Sequence, residues 1–254
     1  MRTQNGGVAV GGRTSFSGLV TGLACLVGAV LLAGCGMMGP SITGSGHPAT
    51  KEYQFADFSQ VKAGSAFQIE VVQGAKYQVT VTIDDNLLDK LDVAKSGDTL
   101  SIGLQPYISI RQATMRAKVV MPTLTGLDLS GAARGEVSGF SSDKKLKVEL
   151  SGASHLRADV VSGDATFDAS GASHAEVHGK GKTLKAMASG ASHLDLDGFA
   201  SGDASIEASG ASHVVVNASG ALNASASGAS SVRYTGKPAS VNSSASGASS
   251  VKER

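Results

Sequence analysis

A four-residue word, Ser-Gly-Ala-Ser, returns through the second half of this chain at nearly constant phase. It begins at Ser151, Ser170, Ser189, Ser209, Ser227 and Ser246, and a degenerate copy, Ser130-Gly131-Ala132-Ala133, precedes them. The seven starts lie 21, 19, 19, 20, 18 and 19 residues apart. A fixed period near 20 residues marks stacked structural repeats, each too small to enclose a core alone.

The residues around each word alternate. Positions five, three and one before the first Ser are apolar or small: Leu146, Val148, Leu150; Ala165, Phe167, Ala169; Leu184, Ala186, Ala188; Ala204, Ile206, Ala208; Leu222, Ala224, Ala226. The first copy has Thr125, Leu127 and Leu129, and the last has Val241, Ser243 and Ala245. The pattern resumes after the word at Leu156 and Ala158, Ala175 and Val177, Leu194 and Leu196, Val214 and Val216, Val232 and Tyr234. Alternation of this kind predicts strands with one buried face. One repeat therefore reads as strand, Gly-containing corner, strand, then a turn such as Ser162-Gly163-Asp164 or Ser201-Gly202-Asp203.

Stacking turns these short strands into ladders about 4.8 Å apart, with a perimeter of about 60 Å per winding. The predicted fold is all-β: a parallel β-helix or β-solenoid of about seven coils over residues 123–254, with a less regular β-rich part before it. An antiparallel β-sandwich accounts for the alternation but not for one tetrapeptide returning at one phase. A disordered low-complexity segment accounts for the Ser, Gly and Ala but not for the alternation.

The first residues read as a targeting signal. Met1 to Ser17 carries Arg2 and Arg13 and no acid; Gly18 to Gly34 is uncharged and mostly apolar. Its 17 residues fall short of the roughly 20 that span a bilayer comfortably. The ending Leu32-Ala33-Gly34-Cys35 resembles the lipobox of bacterial lipoproteins. That resemblance implies a signal peptide over 1–34, a lipid on Cys35 and anchorage in the cell envelope. In a diderm host Gly36 after the Cys favours the outer membrane. Cys25 lies in the leader, so the mature chain is expected to hold no free thiol and no disulfide. Residues 35–52 read as a flexible tether, with folding expected from Tyr53.

Residues 53–122 alternate without repeating. Phe67, Ile69, Val71 and Tyr77, Val79, Val81, Ile83 flank Gln73-Gly74-Ala75, which predicts a hairpin. Asn86 to Leu91 reads as a helical turn or a loop, Ser96-Gly97-Asp98 as a turn before Leu100, Ile102 and Leu104, and Ala117, Val119, Met121 as a last strand before Pro122. This part is expected to protect the first edge of the stack, as irregular coils of the same stack rather than a separate domain, so that 53–254 form one β-solenoid domain; the charged Lys252, Glu253 and Arg254 are expected to keep the other edge soluble.

These segments together resemble a family of bacterial lipoproteins, the putative auto-transporter adhesin, head GIN domain family. The likeness rests on Phe67-Gln68-Ile69-Glu70-Val71, Tyr77-Gln78-Val79-Thr80-Val81, Asp85-Asn86-Leu87-Leu88, Met121-Pro122-Thr123-Leu124, the repeated word itself, and Val232-Arg233-Tyr234-Thr235-Gly236-Lys237-Pro238. It spans roughly Tyr53 to Val251. It implies a β-solenoid envelope protein and supplies no catalytic residues. Many members have Gly where this chain has the second Ser, and an acid or Asn where it has His.

That His is the distinctive feature. His155, His174, His193 and His213 each follow the word directly, and by parity they point outward while the next residue points in. Arg134 precedes them in this column; Ser231 and Ser250 follow. Such a stripe offers a metal or an acidic ligand a pH-sensitive surface. The plainer account, which the sequence favours, is a solvated ladder at a position tolerant of polar residues, since metal sites need convergent ligands.

No catalytic site is expected. Asp159, Asp164, Asp168, Asp195, Asp197, Asp203 and Glu207 fall on several faces, so no carboxylate pair for glycoside hydrolysis is assigned. The repeated Ser and His have no orienting acid at constant offset. A net charge of +1 gives no case for nucleic acid. No cofactor is expected. The reading is a lipid-anchored structural, adhesion or interaction module, with the membrane as one partner and envelope proteins or glycans as others. The alternative is a carbohydrate-active enzyme, a polysaccharide lyase or hydrolase, on the same fold.

Overall fold

A computed structural model describes residues 41–254. The expected leader and Cys35 lie outside the described residues. The N-terminal part contains β1 (Ser41–Thr43), β2 (Pro48–Tyr53), β3 (Gln60–Ala63), β4 (Gln68–Gln73) and β5 (Gln78–Asp84). A 3-10 helix, Asp85–Lys90, leads to β6 (Leu91–Ser96), β7 (Thr99–Leu104), β8 (Ser109–Arg111) and β9 (Met115–Met121). The repeats supply β10 (Gly126–Leu129), β11 (Arg134–Ser141), β12 (Leu146–Leu150), β13 (His155–Val161), β14 (Asp164–Ala169) and β15 (His174–Ala188). They continue with β16 (His193–Ala208), β17 (His213–Ala218), β18 (Ala221–Ala226), β19 (Ser231–Thr235), β20 (Ser240–Ala245) and β21 (Ser250–Glu253).

The repeats wind into a β-solenoid of about six turns. The seven corner glycines, Gly131 through Gly247, bound those turns, which reconciles them with the coil number read from the sequence. Pairing between windings is parallel and keeps the word in phase: Leu129, Leu150, Ala169, Ala188, Ala208, Ala226 and Ala245 form one column. The unequal spacings are absorbed away from the corner. Register shifts lie between Val137 and Phe140, Glu176 and Gly179, and Leu196 and Ala200. Bulges admit an extra residue without reversing the alternation that packs the core.

The corner itself is held by stacking. Each Gly carbonyl accepts the Ala N–H of the next winding, as Gly152 does from Ala172 at 2.8 Å and Gly171 from Ala191 at 2.7 Å. The last Ser of the word turns inward and is buried in every copy but the final one, where Ser249 is half-buried. Ser154 donates to the Leu129 carbonyl at 3.0 Å, Ser192 to Ala169 at 3.1 Å and Ser212 to Ala188 at 3.2 Å. A buried hydroxyl needs such a partner; here the preceding winding provides it.

The core is one continuous cluster from Phe58 to Val232. Phe167 and Phe199 meet edge to face in it, ring centroids 5.8 Å apart. β20 is exposed along its length, including Val241, because no described strand roofs it.

The N-terminal part forms irregular coils of the same stack: β3 and β4 pair in parallel with β10 and β11, Ser65 and Ala66 turn the corner there, and β7 and β9 pair in parallel with β3 and β4. Three sequence expectations change. Gln73-Gly74-Ala75 is not a hairpin turn, because β9 pairs with both β4 and β5 and lies between them. The segment expected as tether is structured from Ser41. β2 pairs antiparallel with β5, and Asn86 donates to the Thr43 carbonyl at 2.9 Å. Finally, β16 runs straight through Ser201-Gly202-Asp203, where a turn was expected, because Ser201 and Asp203 both pair in the ladder with β15. The Gly97–Asp98 turn does join β6 to β7, and the helical turn at Asp85–Lys90 buries Leu87.

Candidate binding face

The first residue after each corner stands on the outer face, and parallel register stacks these residues. His155 pairs with His174, His174 with His193, and His193 with His213. Their ring centroids are 6.1, 4.9 and 5.3 Å apart, and the last two pairs are stacked at 17° and 4°. The spacing follows from the ladder, one imidazole per strand step. His155 is exposed; the other three are partly covered by their neighbours. Burial first, then His174 and His213, holds the His193 imidazole below its ordinary value, while Asp195 opposes this.

The column does not end at His155. Arg134 pairs with His155, Gln68 with Arg134, and Arg116 with Gln68. The sequence placed Arg134 here. Gln68 was readable in retrospect, since it follows Phe67 as each His follows its corner. Arg116 carried no signal, because β9 does not repeat. At this end β4, β5, β9 and β11 form an open groove of about 460 Å³, lined by Gln68, Glu70, Thr82, Arg116, Arg134 and Glu136 among others.

Two residues further along each strand lies a second outward column: Glu70, Glu136, Arg157, Glu176 and Asp195. Lys118 binds Glu70 at 3.0 Å, and Glu176 is met by Arg157 and by His178, each at 3.3 Å. Gly198 leaves room for the His178 ring, which a Cβ there would strike. Arg116 and Arg134 form no ion pair among the described residues. On its other side the His column borders the uncharged corner, where Gly152, Ala153 and their counterparts are exposed.

Stacked rings one strand step apart do not converge on one point. Among the described residues no group of three or more His, Cys, Asp or Glu side chains is placed to hold a metal ion. The carboxylates weighed for hydrolysis are also dispersed. Asp197 accepts Thr235 at 2.7 Å and Arg254 at 2.8 Å, Asp203 accepts the Ala221 N–H at 2.7 Å, and Asp164 accepts Thr183 at 2.9 Å. The Asp203 and Asp164 contacts join successive windings, and those of Asp197 reach two and three windings on. Asp159 stands beside His178, whereas Asp168 and Glu207 share another face with Met187 between them.

A family model described as "Putative auto-transporter adhesin, head GIN domain" matches residues 57–238. Among solved structures, a putative adhesin from Bacteroides fragilis NCTC 9343 is similar over 84% of this chain and 100% of its own, with TM-score 0.80 and 19% identity. A putative lipid binding protein from Parabacteroides distasonis ATCC 8503 matches with TM-score 0.68 and 20% identity, over 85% of this chain and 100% of its own. A putative adhesin from the same organism matches with TM-score 0.66 and 17% identity over the same shares. No curated protein matches this chain. At such identities the likeness is one of fold.

Proposed function

This chain belongs to the putative auto-transporter adhesin, head GIN domain family, and we propose that it is a lipid-anchored envelope β-solenoid that acts as a non-catalytic adhesion or interaction module. The carrying observation is the in-register outer surface. Parallel stacking repeats the same side-chain position once per strand step, so a column such as His155 to His213 presents one chemistry along a line. A surface of that kind suits an extended partner better than a small substrate, which needs convergent groups in an enclosing cleft. The adhesin names of the structural neighbours agree with this reading.

The anchor is part of the proposal. Cys35 would become the lipidated N-terminus, and the few residues between it and Ser41 would set the solenoid close to the membrane. The location is then the extracytoplasmic side of an envelope membrane.

Two measurements test the reading. Metabolic labelling with a radioactive fatty acid should mark the chain expressed in a bacterial host, and Cys35→Ser should abolish the label. Cells bearing the wild-type chain should adhere to glycan-coated or envelope-protein-coated surfaces more than cells bearing Cys35→Ser. Unlabelled wild-type chain sinks the anchor; equal adhesion by cells with and without the chain sinks the module.

A further inference from the structure

The outer column that runs from Arg116 through Gln68 and Arg134 to the four histidines holds no acid. Its six ladder steps cover roughly 29 Å at about 4.8 Å each. We propose that this column is a track for an unbranched, carboxylate-bearing glycan lying along the solenoid axis, and that it grips more tightly as the pH falls. The proposal rests on the interaction-module reading above and names the partner class for it.

Three features support the assignment. The first is linear geometry. One strand step is close to the length of one sugar unit along an extended glycan, so those carboxylates that face the column fall in step with its donors. The second is fixed charge at one end: Arg116 and Arg134 flank Gln68 with no ion-pair partner and border the open groove. Guanidinium groups bind carboxylates with two parallel hydrogen bonds. The third is access, because the corner side of the column is uncharged and built of exposed Gly and Ala. An anion approaching there meets no repulsion.

The acids on the opposite flank bear on the pH response. Glu70 and Glu176 are occupied by Lys118, Arg157 and His178. Asp195 accepts the Asp197 N–H at 3.2 Å, and Glu136 makes no ion pair. Asp195 favours the protonated form of His193, and these carboxylates mildly repel the ligand. Against them, imidazoliums stacked about one strand step apart repel one another. In the free chain, burial and the neighbouring rings disfavour the charged form of His193. A bound polyanion relieves that repulsion, so binding takes up protons and strengthens through the imidazole range. Nucleic acid is disfavoured: the chain has a net charge of +1, and the column has only two permanent cations.

The test uses the full chain in detergent, with immobilised polygalacturonate as the probe and its fully methyl-esterified form as the uncharged control. Affinity for polygalacturonate should rise about tenfold from pH 8 to pH 5.5, following the imidazole range, with little binding to the ester. The combined variant His155→Gln, His174→Gln, His193→Gln, His213→Gln should lose the pH response but keep weak binding. Arg116→Gln with Arg134→Gln should weaken binding at both pH values. These side chains point outward, and unchanged thermal unfolding at pH 8 checks that the variants fold.

A pH-independent affinity, an unaffected four-histidine variant, equal binding of the ester, or equal competition by single-stranded DNA would each overturn the track. Because adhesion of whole cells is scored separately, loss of the track with adhesion intact leaves the module standing. The free chain gives a further check. A depressed His193 contributes stability that is present above the ordinary imidazole pKa and is lost as the pH falls. The unligated melting temperature should therefore drop between pH 7 and pH 5, less so in His193→Gln, and polygalacturonate should oppose the drop. A ligand that does not oppose it is not seated on these rings.

Discussion

The same corner is turned twice with different chemistry. From Gly152 to Gly247 its second residue is glycine at φ of +72° to +74°. In the winding that precedes the repeats it is Ser65 at +55°, followed by Ala66 at +63°. Both backbones are left-handed, so the turn alone does not demand glycine. What differs is the layer beneath. A Cβ on Gly190 would lie 2.6 Å from the Gly171 carbonyl oxygen and 3.2 Å from its nitrogen. Beneath Ser65 no second corner is packed, because the chain leaves β7 at Leu104 and returns at Met115. Glycine is required by stacking where a corner rests on another glycine corner, as it does from Gly152 to Gly247.

The largest effect should come from adding a methyl inside the stack. Gly190→Ala combines a left-handed φ with a backbone collision, and neither can relax without moving two windings. The expected loss is about 3 kcal/mol or more, a fall of roughly 6–12 °C in melting temperature. Gly131→Ala is the matched control. Its φ is +72°, but the nearest atom to the new Cβ is the Ser65 nitrogen at 3.4 Å, an ordinary contact. Only the left-handed cost remains, about 1–2 kcal/mol. Equal losses at the two sites would show that the turn, not the stack, selects glycine.

Ser192→Ala probes the other half of the word. The hydroxyl is buried and donates to the Ala169 carbonyl, which also accepts the Ser189 N–H at 2.9 Å. Deleting it leaves no orphaned acceptor, so the loss should be about 1 kcal/mol. Ala133 fills the equivalent place in the degenerate copy and is fully buried. A loss well above that value in chemical denaturation would mean that the serines act as a coupled column.

This asymmetry also explains what could be read without coordinates. In the repeats, identical words announce identical register, so the pairing partners, the inward residues and the outward direction of the four histidines follow from parity. Before Ser130 nothing announces register. Gly64-Ser65-Ala66-Phe67 lacks the glycine at the key position and hides a winding that the structure places under Ser130-Gly131-Ala132-Ala133. Gln73-Gly74 resembles a hairpin because its flanks alternate; the strand that separates them, β9, comes from much later in the chain. Residues 41–53 look like a tether because an edge strand with one neighbour buries little. Arg116 joins the histidine column only through that long-range pairing, which no local pattern encodes.

The smallest effect is a reversal of sign. Ser65 adopts a backbone region that costs a non-glycine residue about 1 kcal/mol or more. Its hydroxyl returns only a long contact, 3.4 Å from the Leu104 N–H. Ser65→Gly removes the strain and the contact together, while the freer unfolded chain costs about 0.5–1 kcal/mol. The net should be a stabilisation of about 0.5 kcal/mol, opposite in sign to every glycine replacement in the stack. The measurement is paired urea denaturation of Ser65→Gly and wild type, with unchanged slope. Destabilisation there would mean that the hydroxyl, rather than the lack of a stacked corner beneath it, is why serine stands at this corner. The stacking account of the glycines would then lose its natural control.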